Sequence, residues 1–481
     1  MTIYKSAPGV FDILPFDEKE VWKSSYLWQY FEETARKVAK SFGYEEIRTP
    51  IFERSQLFER GVGEGTDIVS KEMYLFEDKG KRSMALRPEG TAPVMRAYLE
   101  NQLNAQQSYH KLFYLAPMFR YDRPQAGRYR QHHQFGAEAI GIKSPEQDAE
   151  IIDLLYTLYN KLGLRELKIY LNCIGTKESR ERYREILVDF LKPQFNRLSE
   201  DSQRRLEANP LRVLDSKDPA DREAIKGAPS ILNSLDQESK DYFFSVQEAL
   251  KSINIPFEVQ PQLVRGLDYY NMTVFEVVSG ELGAQNSIGG GGRYDGLIKM
   301  LGGPDVPSIG FGAGIERALQ VMIKQQTSLP NRPSPSLYII PLGDEPKKKA
   351  FRIVHELREK NIAAQMDMTG KKLTKAMQIA NQLNAKFSVV IGENEIDSGE
   401  VQIKDMKAGT SFSLPLDLLP LFMELEDKSQ QLTQFYQDLE IEDEKIATNI
   451  VDQFQYSIKH SQKTADYLQE KLETIKQFLE I

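Results

Sequence analysis

A proline-rich stretch splits this chain into two regions whose strand and helix signals follow different orders. The stretch is Ser328-Leu329-Pro330-Asn331-Arg332-Pro333-Ser334-Pro335, a composition typical of a stiff linker between domains. Before it, strand signals recur with few long helices between them, which favours an antiparallel sheet with flanking helices. After it, strands and helices alternate from Leu337 to Ile391, which predicts a small α/β domain with parallel strands.

We therefore predict an α+β protein with several domains, since 481 residues are too many for one ordinary core. The first domain covers residues 1–328 and is interrupted at 176–256 by a highly charged, mostly helical insertion. The α/β domain covers residues 336–420. Residues 422–481 are predicted to form a helical acidic extension, because apolar residues recur there at helical spacing without glycine or proline.

Charge and cysteine content limit the classes of site that the chain can carry. The formal net charge is −8, but 13 acidic and six basic residues lie between Phe422 and Ile481, so the remainder is nearly neutral. Cys173 is the only cysteine, which excludes an internal disulfide and a cysteine-based zinc site. The five histidines lack metal-binding spacing, so we predict no metal held by the protein alone. The absence of a signal-peptide pattern and of a long apolar run predicts a cytoplasmic protein with no membrane partner.

The segment from Phe119 to Glu138 contains four arginines, two histidines and no lysine. Apolar and aromatic residues at 112–120, a loop with proline and glycine, and alternation at 129–140 predict a β-hairpin here. Guanidinium groups are planar and grip phosphate or carboxylate groups at two points, so this choice favours a site for a polyanion. An ordinary charged hairpin facing water is the alternative. His132 and His133 lie in this segment, and the sequence assigns them no role.

Four consecutive glycines, Gly289 to Gly292, precede Arg293 and Tyr294. They match neither the phosphate-binding P-loop pattern nor the dinucleotide-binding glycine pattern. Glycines within a strand often mark the close approach of a ligand or another backbone. We interpret them as the floor of a ligand pocket, with a glycine-rich surface turn as the alternative.

Three further motifs complete a recognisable set: Arg87-Pro88-Glu89-Gly90-Thr91, Leu263-Val264-Arg265-Gly266-Leu267-Asp268-Tyr269-Tyr270 and Gly310-Phe311-Gly312-Ala313-Gly314-Ile315-Glu316-Arg317. With them the chain resembles class II histidyl-tRNA synthetases from about Pro8 to Leu419. Glu46 to Pro50, Phe119 to Glu138 and Gly310 to Arg317 are similar to the three class II signatures. The motif at 263–270 and the glycine segment at 290–296 resemble the two signatures specific to the histidine family.

The resemblance implies activation of histidine by ATP to histidyl-adenylate and transfer of histidine to tRNA(His). In the implied histidine site, Glu89, Thr91 and Gln134 hold the ammonium group and neighbouring atoms. Glu138 and Tyr270 bind the two imidazole nitrogens, and Tyr269 and Tyr294 complete the site. Such a site leaves polar groups unpaired when another amino acid enters, so it rejects that amino acid without an editing domain.

The resemblance also implies an ATP site with Arg120 and Arg317 on the phosphates and Mg²⁺ carried by them. Arg265 lies between the substrate carboxylate and the α-phosphate, so that Arg265 and Arg120 are the predicted catalytic residues. Arg123 and Gln125 are predicted to approach the tRNA acceptor end, and a homodimer is implied. The domain at 336–420 resembles the family's anticodon-binding domain, and the insertion at 176–256 resembles its helical insertion near the acceptor stem. The alternative is a non-catalytic regulatory paralogue that serves ATP phosphoribosyltransferase in histidine biosynthesis.

Overall fold

The computed structural model describes residues 4–63, 66–122 and 127–438. The chain divides into two compact units between Asn331 and Arg332, within the proline-rich stretch.

The strands of the first unit are β1 (Glu45–Glu46), β2 (Phe52–Arg54), β3 (Leu75–Glu77), β4 (Ser83–Leu86), β5 (His110–Phe119), β6 (Gln131–Ile140), β7 (Leu167–Cys173), β8 (Glu258–Val259), β9 (Asn271–Ser279), β10 (Ser287–Arg293) and β11 (Ser308–Gly314). Those of the second unit are β12 (Leu337–Pro341), β13 (Ala364–Met366), β14 (Phe387–Ile391), β15 (Glu400–Asp405) and β16 (Ser411–Pro415).

The helices of the first unit are α1 (Ser25–Ser41), α2 (Ser55–Val62), α3 (Thr91–Glu100), α4 (Leu103–Gln106), α5 (Pro145–Lys161), α6 (Lys177–Leu191), α7 (Glu200–Ala208), α8 (Pro219–Ala224), α9 (Gln237–Ser252), α10 (Leu297–Met300) and α11 (Ile315–Lys324). Those of the second unit are α12 (Asp344–Glu359), α13 (Leu373–Gln382), α14 (Glu393–Ser398) and α15 (Leu419–Asp438). Short 3-10 turns lie between several of these helices, including Pro210–Asp215 in the predicted insertion.

A mixed but mainly antiparallel sheet organises the first unit, in the order β1-β5-β6-β11-β10-β9-β7-β8. Only its two short edge strands, β1 and β8, pair in parallel with their neighbours among the described strands. A smaller antiparallel sheet has the order β2-β4-β3. The predicted α+β fold with an antiparallel sheet and flanking helices is confirmed.

One face of the large sheet is covered by α1, α5 and α11. Helix α1 buries Leu27, Phe31, Ala35 and Val38, a spacing that places them along one side of the helix. Helix α5 starts at Pro145, and the Ser144 hydroxyl accepts a hydrogen bond from the Gln147 amide at 3.2 Å. These helices and the inward side chains of the central strands form the largest core cluster.

The opposite face of the sheet packs against α3 and part of the inserted helical segment. Strands β5 and β6 form a long hairpin in which His110 lies opposite Ile140 and Phe119 opposite Gln131. The segment from α6 to α9 interrupts the sheet between β7 and β8. Tyr183 and Leu187 of α6 share a core cluster with Tyr269 and Tyr270 of the sheet domain.

The second unit contains a five-stranded sheet, in the order β13-β12-β14-β15-β16. Strands β12, β13 and β14 are parallel, as the alternating pattern predicts. The prediction of parallel strands is incomplete, because β15 and β16 add an antiparallel hairpin that the sequence analysis does not identify. Helix α15 runs through the predicted boundary at 420–422, and its Leu419 and Met423 are buried in the core of this unit.

Among the helices of the described residues, none combines the length and the apolar composition that a membrane span requires. Cys173 lies buried at the end of β7, and burial raises the pKa of its thiol to about 12. The thiol is therefore neutral at ordinary pH and behaves as a small apolar group.

A buried ion pair anchors the end of the glycine strand β10. Arg293 and Asp148 are both fully buried, and Arg293 Nε lies 3.1 Å from Asp148 Oδ1. Arg293 Nη1 also donates to Asp295 Oδ1 at 3.0 Å and to the Ile142 carbonyl at 3.2 Å. Arg293 therefore joins β10 to α5 and is not available to a ligand.

We expect Arg293→Met to lower the free energy of unfolding by about 3–5 kcal/mol, because Asp148 would remain as a buried charge without its main partner. Chemical denaturation monitored by circular dichroism measures this. The matched control is Lys299→Met, which breaks an exposed pair with Asp305 and should change stability by less than about 1 kcal/mol. Equal effects of the two substitutions would contradict this account of Arg293.

Candidate active site

Strand pairing brings the separate sequence motifs to one face of the large sheet. In the register of β6 and β11, Glu138 lies opposite Gly310, and Gln134 lies opposite Gly314. Helix α3 begins at Thr91, and the Thr91 hydroxyl reaches Glu138. Motifs that are more than 200 residues apart along the chain therefore meet at one pocket.

The Glu138 carboxyl group lies at the centre of this pocket and is fully buried. A side-chain carbon at Gly310 would overlap Glu138 Oε2, so only glycine leaves room for this carboxyl group. The Thr91 hydroxyl donates to Glu138 Oε1 at 2.8 Å, and the Tyr294 hydroxyl donates to Oε2. Burial nevertheless raises the pKa of Glu138 to about 8, because two neutral donors compensate only part of the cost of desolvating the charge.

Aromatic rings enclose the same pocket. The ring centroids of Tyr269 and Tyr270 are 4.7 Å apart, and those of Tyr269 and Tyr294 are 5.4 Å apart. All three rings are buried, and burial raises the pKa of each phenol, so the hydroxyls stay protonated and can donate. The site thus offers phenol donors and one carboxyl acceptor to a small polar ring or chain.

Tyr114 belongs to this pocket, but the sequence analysis missed it. Its ring lies so close to Gly90 and Gly136 that a side-chain carbon at either glycine would overlap it. Tyr114 pairs with Gly136 across the β5–β6 hairpin. A tyrosine opposite a glycine is the only signal of this packing, and it becomes visible only when the register is known.

Glu89 is buried and both its oxygens accept backbone hydrogen bonds. Oε2 accepts from the Thr91 amide at 2.7 Å and Oε1 from the Ala92 amide at 2.9 Å. The carboxylate thus stabilises the positive end of α3, although burial raises its pKa. Neighbouring Arg87 donates to carbonyl groups of Pro117, Thr49 and Pro50 and so fixes the segment of the first class II signature to the sheet.

Next to this pocket lies a polar cleft of about 350 Å³. Its walls include the predicted phosphate-binding residues Arg120, Arg265 and Arg317, together with Gln134. Gly289 and Gly290 of β10 form part of the same wall, and the absence of side chains leaves the cleft open there. The cleft therefore joins the arginines of three motifs to the glycine segment.

Each of the three arginines is held by a different part of the backbone or by a carboxylate. Arg120 Nε donates to the Pro88 carbonyl at 2.8 Å, and Arg317 Nη1 donates to the Ser287 carbonyl at 2.7 Å. Arg265 Nη1 donates to Glu276 Oε1 at 2.9 Å. Arg265 Nε is buried without a hydrogen-bond partner in the described part of the chain, so this donor is available to a bound oxyanion.

Acidic residues that sequence reasoning missed balance these cations. Glu72, Asp215 and Glu276 line the cleft, and so does Lys217 of the insertion. Burial raises the pKa of Glu72 and Asp215. Only the folded chain places these residues beside the arginines, because they lie outside the motifs that carry the arginines.

The two histidines of the arginine-rich segment have different surroundings. His132 lines the cleft, and burial, with the nearby charges of Arg120 and Arg317, lowers its pKa to about 3. His133 Nδ1 lies 2.9 Å from Glu316 Oε1, and its ring packs edge-on against Trp28. His133 therefore joins the hairpin to α11, whereas His132 is uncharged and forms part of the wall of the cleft.

The remaining arginines of that segment are not equivalent. Arg128 pairs with Asp122 at 3.2 Å and lines the cleft, whereas Arg130 stacks over the ring of Tyr121 at 4.1 Å. The predicted acceptor-end residues Arg123 and Gln125 lie outside the described residues, so their role stays a prediction.

The arrangement suits two adjoining ligands or two parts of one ligand. The buried pocket has one acceptor and several phenol donors, which fits a small group that both donates and accepts hydrogen bonds. The cleft has arginines that face a ligand from several sides, which fits a polyphosphate. Arg265 is at the junction, since the loop that carries it also carries Tyr269 and Tyr270.

Comparison with known proteins agrees with this geometry. Residues 28–318 match the family described as Histidyl-tRNA synthetase, and residues 336–424 match the family described as Anticodon binding domain. A curated Histidine--tRNA ligase of Protochlamydia amoebophila strain UWE25 is 60% identical over 412 residues, which cover 86% of this chain and 97% of that protein. One from Bacillus velezensis is 45% identical over 428 residues, with 88% and 99% covered.

Among solved structures, that of apo S. aureus histidyl-tRNA synthetase is similar with a TM-score of 0.73 and 36% identity. The match covers 88% of this chain and 100% of that chain. With its buried carboxyl pocket, its arginine-lined cleft and these similarities over most of its length, the chain belongs to the histidyl-tRNA synthetase family.

Proposed function

We propose that this chain activates histidine with ATP to form histidyl-adenylate and then transfers histidine to tRNA(His). The observation that carries this proposal is the buried cluster of side chains around the Glu138 carboxyl group, which adjoins a cleft lined by Arg120, Arg265 and Arg317. Family membership supports the use of histidine, ATP and tRNA.

In the proposed first step, a carboxylate oxygen of histidine attacks the α-phosphorus of ATP. The bond from that phosphorus to the β-phosphate oxygen breaks, and pyrophosphate leaves. Arg265 stabilises the charge between the substrate carboxylate and the α-phosphate, and Arg120 and Arg317 bind the phosphates. Arginines fixed in place before the reaction can stabilise this transition state without having to reorganise.

In the second step, a ribose hydroxyl at the end of the tRNA attacks the carbonyl carbon of the adenylate, and AMP leaves. Arg123 and Gln125 are proposed to approach the acceptor end, and the unit at 336–424 is proposed to bind the anticodon, as its family match suggests. The reaction is proposed to take place in the cytoplasm.

Recognition of histidine is proposed to depend on the protonation state of Glu138 and on the shape of the pocket that the tyrosine rings form. Glu138 accepts from one imidazole nitrogen and Tyr270 donates to the other, while Tyr269 and Tyr294 enclose the ring. Glu89, Thr91 and Gln134 surround the ammonium group. Both oxygens of Glu89 already accept hydrogen bonds from backbone N–H groups. Glu89 would therefore attract the ammonium group mainly through its negative charge.

We also propose that Mg²⁺ accompanies the ATP phosphates. Mg²⁺ usually binds one or two protein carboxylates together with phosphate oxygens and water. Glu72 and Glu276 line the cleft, so the carboxylates present fit such an ion. The ion would offset negative charge on the phosphates.

The alternative, a regulatory paralogue for ATP phosphoribosyltransferase, is less well supported. Such paralogues are expected to lack an anticodon-binding domain and the arginines that contact ATP. This chain matches the anticodon-binding family at 336–424, and Arg120, Arg265 and Arg317 line one cleft. Catalysis is therefore the better interpretation.

We propose a homodimer in which the small β2-β4-β3 sheet contacts a second copy. Ile51, Phe52, Leu75 and Phe76 are large apolar residues exposed on or beside this sheet. The rings of Phe52 and Phe76 contact each other at 6.1 Å between centroids, so they form one apolar surface. This surface is continuous with the segment around Pro50 that Arg87 fixes to the sheet.

Histidine-dependent exchange of pyrophosphate into ATP tests the proposed activity. The unchanged protein should catalyse exchange, and Arg265→Ala should slow it by about 100-fold or more, because a preorganised charge at the transition state is lost. Binding of tRNA, measured by filter retention, should stay close to normal. Arg165→Ala, a surface arginine, is the control. Failure of the well-folded unchanged protein to exchange would refute the enzyme proposal.

The pH dependence of histidine binding tests the role of Glu138. Since the pKa of Glu138 is about 8, the carboxyl group loses its proton as the pH rises from 7 to 8.5. An ionised carboxylate is the better acceptor for an imidazole N–H, so the KM for histidine should fall over this range. In Glu138→Gln the KM should be high and lose this dependence, while the KM for ATP serves as the control. An unchanged pH profile in the variant would contradict the assignment.

Light scattering coupled to size-exclusion chromatography tests the dimer. The unchanged protein should have twice the mass of one chain, and the double substitution Phe52→Glu with Phe76→Glu should yield monomers, because charges would replace the apolar contact. Phe244→Glu alters a ring on α9 that is even more exposed than Phe52 and Phe76, and it should leave the mass unchanged. A dimer that survives the double substitution would exclude this surface.

A further inference from the structure

The loop that carries Arg265, Tyr269 and Tyr270 is not positioned by a strand ladder. Residues 260–270 connect β8 to β9 and form no strand in the described chain. Side chains bind the backbone of the loop instead. In its first half, Asn172 Nδ2 donates to the carbonyl groups of Pro261 at 3.2 Å and Leu263 at 2.9 Å.

The second half of the loop is held by two arginines of the inserted helical segment. Arg212 lies on the 3-10 turn Pro210–Asp215, is almost completely buried, and donates from Nη2 to the Gly266 carbonyl at 2.7 Å. Arg180 of α6 donates from Nη1 to the Tyr270 carbonyl. The two contacts lie on either side of Leu267, Asp268 and Tyr269, so the insertion fixes both ends of this short segment.

Arg212 makes a second contact with the same loop, through the side chain of Asp268. Its Nε lies 3.3 Å from Asp268 Oδ1, which also accepts from Asn209 Nδ2 at 3.0 Å. On the other side, the Asp268 amide donates to the Val62 carbonyl at 3.3 Å. The loop is therefore held between the sheet domain and the insertion.

The same short segment of the insertion continues into the cleft. Asp215 and Lys217 line the cleft together with Arg265 and Glu276. A shift of this segment would therefore move the support of the loop and one wall of the cleft together.

We propose that Arg212 is a positioning residue for Arg265, and that it keeps the Arg265 guanidinium aligned by holding Gly266 and Asp268. This inference rests on the proposed function, because it takes the role of Arg265 from there. Gly266 follows Arg265 directly in the chain, so the carbonyl that Arg212 binds is one peptide unit away from the proposed catalytic residue. Loss of this contact leaves the Gly266 carbonyl without its side-chain donor and permits the loop to adopt another position.

Pyrophosphate exchange without tRNA tests the inference, since omitting tRNA removes any effect of Arg212 on tRNA binding. Arg212→Gln and Arg212→Lys should lower the kcat of exchange by about ten- to a hundredfold, because a small displacement of an aligned group is enough for such a loss. The KM for histidine should stay within about threefold of normal, because Arg180 still holds the Tyr270 carbonyl and the lost interaction acts on the transition state. Rates are taken per active site, counted by the burst of adenylate formation, so that misfolded protein does not contribute.

Arg184→Gln is the matched control. Arg184 belongs to the same helix as Arg180 and lines the same side cavity as Arg212, and its Nη2 donates a hydrogen bond to the Glu207 carbonyl at 3.3 Å. Its kcat should match that of the unchanged protein. Asp268→Asn should reproduce part of the loss, and the double variant with Arg212→Gln should lose less than the product of the two single effects.

Two results would overturn the inference while leaving the proposed function intact. One is a normal kcat per active site in both Arg212 variants. The other is an equal loss of kcat in the Arg212 variants and in Arg184→Gln, because the effect would then not be specific to Arg212. If Arg212→Gln does not fold, Arg212→Lys and Asp268→Asn decide the question by the same criteria. If the unchanged protein itself shows no exchange, the proposed function fails and the inference fails with it.

Discussion

The burial of one carboxyl group, that of Glu138, sets the conditions for the rest of the site. An ionised carboxylate in a closed pocket is costly, and two hydroxyl donors offset only part of that cost, so its pKa rises to about 8. Gly310 must lack a side chain to leave room for the carboxyl group. The Tyr294 hydroxyl and the first residue of α3, Thr91, must also converge on it. These demands connect β6, β10, β11 and α3 to one point.

The cleft beside the pocket has a different energetic requirement. Several cationic side chains must stay close together there before a ligand binds. Like charges at short distance repel, and neighbouring carboxylates reduce that cost. Arg265 is paired with Glu276, while backbone carbonyls hold Arg120 and Arg317. Among the described residues, Arg265 Nε is buried and has no hydrogen-bond partner. Arg265 can therefore still donate a hydrogen bond to an oxyanion. Pocket and cleft therefore differ in charge but share the loop that carries Arg265.

The inserted helical segment is part of this architecture. In the described residues its arginines bind backbone carbonyls of the loop between β8 and β9, and its Asp215 and Lys217 line the cleft. A loop outside a sheet ladder has no neighbouring strand to pair its carbonyl groups, so side-chain donors take that role here. The insertion thus contributes to the order of the site from a position more than 30 residues away along the chain.

Local sequence is enough to predict the α+β class, the hairpin of β5 and β6, the alternating second unit up to Ile391, and the family motifs. These features depend on local periodicity, on proline and glycine positions, or on short motifs, all of which are visible in neighbouring residues. The folded chain was needed to show that β15 and β16 complete the second sheet, that Tyr114 fills the space between Gly90 and Gly136, and that Arg212 holds the loop. Strand register and long-range packing make those contacts, and neither can be read from local sequence.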